Sequence, residues 1–131
     1  MTSKIGRGLS ALPDRETARP WPDIETMFAE LARIKPVFEP LAALARHLSR
    51  SAFTKAGLCG GTSMHDIVVG PSTYVIQNPH LRLEYDFDAK AFQMIYVDGS
   101  TKPWERSVPP EQVNDAVDRF LTKRVRWYHV L

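Results

Sequence analysis

The residue types closest to covalent chemistry lie together in Cys59-Gly60-Gly61-Thr62-Ser63-Met64-His65-Asp66. A thiolate nucleophile needs an imidazole to take its proton and backbone N–H groups to hold an oxyanion, and this stretch supplies each of them. Catalytic cysteine and histidine are brought together by folding rather than by adjacency, however, and the local signatures of cysteine hydrolases are missing. The stretch therefore reads as a helix-to-strand connection, and a small cysteine-dependent hydrolase using Cys59 and His65 stands as one alternative. Its glycines do not form a P-loop, because the Lys-Ser/Thr ending and the preceding strand are lacking.

His47, His65, His80 and His129 show neither the i, i+4 nor the short-loop spacing that marks a metal site, so no metal and no cofactor is expected. Glu84, Asp86 and Asp88 recur at period two, as on a solvated strand face, and the same row could meet a basic partner. Positive charge gathers in two places. One is segment 46–55, with Arg46, Arg50 and Lys55; the other is segment 119–126, with Arg119, Lys123, Arg124 and Arg126. Such clusters contact phosphates, and Trp127 and Tyr128 beside the second could stack on bases. The competing reading is that basic residues suit helix C-termini and that Asp115 pairs with Arg119 at i, i+4. Trp21, Trp104 and Trp127 fall outside the clear apolar stripes, where indoles often anchor interfaces.

Whole-chain properties narrow the classes. The chain has 131 residues, 17 basic and 15 acidic side chains and a formal net charge of +2, too balanced for a nucleic-acid protein on charge alone. Its single cysteine cannot form an internal disulfide, which favours the cytoplasm. No apolar run approaches the ~18 residues of a membrane span, and Met1 to Pro13 lacks the apolar stretch of a signal peptide.

Periodicity indicates the elements that must position these groups. Residues 1–20 read as an irregular arm, and 21–131 as a single α+β domain. Ile24, Met27, Phe28, Leu31 and Ile34 fall on one face of a helix capped by Asp23 and stopped by Pro36. Leu41, Leu44, Ala45 and Leu48 continue at the same spacing in a second helix, completing a helical hairpin. Strand patterns follow at 67–69 and 73–77. Leu81, Leu83, Tyr85 and Phe87 then alternate with polar residues, and Phe92, Met94 and Tyr96 answer them across a turn at 88–91. Pairing Phe87 with Phe92, Tyr85 with Met94 and Leu83 with Tyr96 would put the whole set on one buried face. Segment 100–107 reads as a polar connection, and Pro109-Pro110-Glu111 starts a last helix with Val113, Ala116, Val117, Phe120 and Leu121 inward. Continuing that helix would place Arg124 inside the apolar stripe, so a terminal strand over 125–131 is expected instead.

The expected fold is thus an antiparallel four- or five-stranded sheet packed against an N-terminal helical hairpin and a C-terminal helix. By elimination, the expected function is non-enzymatic: a macromolecular interaction protein, of inhibitor or immunity type, binding a protein partner through Trp21, Trp104, Glu84 and Asp86. The alternatives are nucleic-acid binding through segments 46–55 and 119–126, and the Cys59–His65 hydrolase.

Overall fold

The computed structural model describes residues 18–73, 75 and 79–127. It has the expected α+β architecture, with helices at both ends of a five-stranded antiparallel sheet. Helix α1 runs Trp21–Ile34, a 3-10 turn covers Pro36–Phe38, α2 is Glu39–Ser49, and the short α3 is Ala52–Lys55. Strands β1 (Cys59–Ser63), β2 (Asp66–Gly70), β3 (His80–Asp86), β4 (Ala91–Val97) and β5 (Trp104–Val108) pair strictly with their sequence neighbours. Helix α4 (Pro110–Arg119) ends in a π-helical turn, Phe120–Arg124.

Three of the four described helices start where a proline is tolerated, and α3 starts behind Ser51, whose Oγ accepts the Thr54 N–H at 3.2 Å. Pro22, Pro40 and Pro110 all sit in first turns, where the missing N–H has no intrahelical partner to lose. Helix α1 begins at Trp21 behind Pro20 rather than at an Asp23 cap. Helix α1 packs on β1, α4 on β4 and β5, and α2 lies against both helices. One sheet face therefore carries the main core, including Phe28, Leu41, Leu44, Leu81, Leu83, Phe92, Met94 and Leu121. On the opposite face Val68, Val75 and His80 are also buried. Gly70 leaves room for them, since a Cβ there would lie 3.3 Å from the Pro79 carbonyl oxygen.

Several expected elements are replaced. The Cys59–Ser63 stretch is an edge strand, not a loose connection, and Arg19 extends the sheet by bridging to Gly60. Thr73 and Val75 lie in no strand, and the rest of the 73–77 expectation falls outside the described residues. Within the polar connection, Trp104–Val108 forms β5 by pairing with β4.

The β3–β4 hairpin keeps its expected buried face but shifts by two residues. Tyr85 faces Phe92, Leu83 faces Met94 and Leu81 faces Tyr96. The cause is Asp86, whose carboxylate accepts N–H bonds from Asp88 and Ala89, both 3.0 Å, and so starts the turn directly after itself. Lys90, at φ 55°, closes it, and Phe87 is carried onto the tip.

The expected terminal strand also fails over 125–127, which follow the π turn; 128–131 lie outside the described residues. The widened turn, closed by the Val125 N–H on the Phe120 carbonyl at 3.2 Å, brings the Arg124 guanidinium carbon 5.1 Å from the Trp104 ring centre. A planar cation is well placed over an indole, so the arginine in the apolar stripe that argued against helix is accommodated.

Candidate functional site

Trp21 opens α1 and is buried, with its Nε1–H donating to the Leu58 carbonyl at 2.9 Å. The indole lies so close over β1 that a Cβ on Gly60 would fall 2.4 Å from it. Trp21 therefore ties helix to sheet and offers no surface to a partner. Glu84 is half-buried on the sheet face opposite the main core, where burial, and then Asp66 and Glu105, push its carboxyl up while Arg82 opposes them. Arg82 there pairs with Asp66 at 3.0 Å. The Asp86 carboxylate is occupied by turn amides. Trp21, Glu84, Asp86 and Trp104 thus form no common surface.

Cys59 and His65 are not brought together. Cys59 starts β1 and His65 lies in the turn beyond its far end, so four residue steps of strand, roughly 13 Å, intervene before that turn begins. Burial raises the thiol pKa, the wrong direction for a nucleophile, and Cys59 Sγ donates to the Gly57 carbonyl at 3.5 Å. The His65 ring packs edge-on against Phe38 at 5.0 Å.

Segment 46–55 is not a free cationic surface either. Arg50 pairs with Glu25 at 2.8 Å and Arg46 with Glu39 at 3.5 Å, acids that lie outside the segment. His47 Nε2 meets Asp118 at 2.9 Å and links α2 to α4.

Two regions do assemble. At the end of the sheet bearing the β1–β2 and β3–β4 turns, Phe38 is a buried aromatic hub, edge-on to His65 and, at 5.3 Å, to Phe87. Phe87 (39% exposed) and Val37 (58%), next to Phe38 in the chain, face water, as do Ile34 (65%) at the end of α1 and Met64 (91%) beside His65 in the β1–β2 turn. A depression of about 350 Å³ between Pro36, Val37, Pro40, Tyr85 and Phe87 has Lys90 as its one charged lining residue. Ile34 was expected inward with its helix stripe, but α1 ends there and the chain turns away at Pro36. The region is not legible in the sequence because it joins the ends of α1, α2 and β3 with the 3-10 turn and two hairpin turns. The available signal was methionine at the first position of a two-residue hairpin turn, held at φ 56°, where glycine is the usual choice.

The second region lies at the other end of β4. Trp104 packs on Phe120 with ring centres 4.9 Å apart. Beside them a cleft of about 300 Å³ is lined by Trp104, Arg106, Ala116, Arg119, Phe120, Lys123 and Arg124. Among the described residues none of its four cations forms an ion pair, and the expected Asp115–Arg119 pair is not made. Arg126 does not line it.

No protein-family model matches the chain, and no curated protein or solved structure shows significant similarity to it. Among the described residues, no helix is long and apolar enough to cross a membrane.

Proposed function

We propose that the domain is a non-catalytic protein-binding module that docks its partner on the apolar end around Phe38. The observation that carries this reading is the apolar depression between Pro36, Val37, Pro40, Tyr85 and Phe87 beside the Phe38 hub, with Val37 and Phe87 among the most exposed large apolar side chains of the described residues. Exposed apolar surface of this kind marks interaction sites in folded domains. Met64 adds to it, because its positive φ is a strained conformation for a side chain that faces solvent. The partner is a second protein presenting an apolar side chain to the depression and a carboxylate to Lys90. An inhibitor or immunity-type protein works in this way, by occupying a partner's surface without chemistry of its own.

Photo-crosslinking in the native cell tests the reading, with benzoylphenylalanine placed at Met64 and, as control, at Glu111. A discrete adduct at position 64 that disappears with Val37→Asp and weakens with Lys90→Glu is expected. Adducts unaffected by both substitutions, or adducts to a second copy of this chain alone, would refute it.

A further inference from the structure

The cationic cleft carries a separate inference, independent of the protein-docking reading. Arg106 comes from β5, Arg119 from α4, and Lys123 and Arg124 from the π turn, so three elements converge on one concavity. No carboxylate lines it. Its base is apolar, made by Ala116 with the rings of Trp104 and Phe120. Arg124 is held by its position over the Trp104 ring. An arginine oriented this way keeps its N–H fork for an anion and loses less side-chain freedom on binding. The π turn itself supports the assignment, since single π turns in helices recur at functional sites and this one sets where Arg124 lies. A smaller depression of about 200 Å³ shares Arg106, Ala116 and Arg119 with the cleft and adds Gln112 and Asp115.

We infer that this cleft binds a small phosphate-bearing ligand of diphosphate type, whose phosphoryl oxygens are shared among Arg106, Arg119, Lys123 and Arg124. Four cations outside any ion pair among the described residues, Arg124 also lying in the field of Asp98, match a multiply charged anion better than a single carboxylate. Gln112 and Asp115, in the adjoining depression, provide an acceptor-bearing end for hydroxyl or amino groups of the same ligand. A nucleic-acid backbone fits less well. Trp104 is engaged by Phe120 and Arg124 and is not presented as a base-stacking platform.

The test is titration of the full chain with inorganic pyrophosphate, followed by calorimetry and by amide chemical shifts. Saturable binding is expected, with shifts centred on Trp104, Arg106 and Phe120 to Arg124. Affinity should fall about tenfold for Arg119→Gln and again for Arg124→Gln, as for loss of a charge-assisted hydrogen bond. Lys55→Gln, which removes the same charge from a remote exposed site, should leave binding unchanged. Amide spectra of each variant show whether it is folded, so loss of binding is separated from loss of structure. The inference fails if folded protein shows no saturable response at millimolar pyrophosphate, or if Lys55→Gln weakens binding as much as Arg119→Gln. A parallel titration with a single-stranded oligonucleotide covers the remaining case. Tighter binding than to pyrophosphate, with a steep salt dependence, would reassign the cleft to nucleic acid.

Discussion

At the Phe38 end of the sheet, the chain leaves large apolar side chains in water beside an aromatic hub; at the Trp104 end, it buries Phe120, half-buries Trp104 and leaves beside them four cations outside any ion pair among the described residues. Both regions depend on a local departure from regular backbone. At the first, Met64 and Lys90 take positive φ in two hairpin turns; at the second, an α-helix widens into a π turn. The chemistry differs because the first region is built from turns and the ends of α1, α2 and β3, where large apolar side chains stay exposed. In the second, helix and strand supply an apolar base on which charged side chains lie. An apolar surface gains from any partner that excludes water, whereas a cationic cleft gains only from an anion of suitable shape.

The largest stability effects should come from the scaffold beneath both regions. Trp21→Ala should cost ~3–5 kcal/mol in urea unfolding, the usual range for truncating a buried aromatic, because it also leaves the Leu58 carbonyl without its donor. A loss below ~1 kcal/mol would mean that the indole is not tied to β1. Phe92→Ala and Phe87→Ala then test the shifted register. With Phe92 buried against Tyr85 and Phe87 at the tip, the first should cost ~3–5 kcal/mol and the second only about 1 kcal/mol. Equal costs would restore the pairing of Phe87 with Phe92.

Met64→Gly sharpens the comparison in the other direction. Removing a side chain from positive φ should stabilise the fold by about 0.5–1 kcal/mol, part of the strain relief being offset by the added freedom of the unfolded chain. The same variant should lose partner docking, so greater stability accompanied by lower function is the expected pair of results.

The smallest effect concerns the His47–Asp118 bridge between α2 and α4. The hydrogen bond to Asp118 raises the His47 pKa, with Asp118 and Asp115 charge adding to it and burial opposing it. The protonated form is thus favoured by folding. The bridge's contribution is fully present below the ordinary histidine pKa of about 6.5 and is lost as pH rises through the higher folded value. The melting temperature should therefore fall slightly more between pH 6 and 8 in the parent chain than in His47→Gln. Identical pH profiles would show that the bridge does not contribute.

Much of the scaffold was legible in the pattern of residues. Helical spacing located α1, α2 and α4, and the alternation of Leu83 and Tyr85 with Phe92 and Met94 identified the central hairpin and its core face. The turn was misread because a two-residue shift preserves the alternation, and only the Asp86 bonds to its own turn discriminate between the registers. Strands β1 and β5 were missed because Cys59-Gly60-Gly61-Thr62-Ser63 and Trp104-Glu105-Arg106-Ser107-Val108 have little apolar alternation; pairing to a neighbour makes them strands.

The candidate surfaces were legible only in fragments. Arg119, Lys123 and Arg124 were recognisable as a cluster, but Arg106 and Trp104 join them only through the fold. The basic segment around Arg46 and Arg50 had equal standing in one dimension, until α1 brought Glu25 to Arg50. Residue types and their periodicities by themselves determined the α+β class, the helices and the hairpin core, because these depend on neighbours within a few positions. Which charges remain unpaired, which tryptophan is buried and which apolar groups meet at Phe38 depend on contacts between distant segments, and only the tertiary structure decided them.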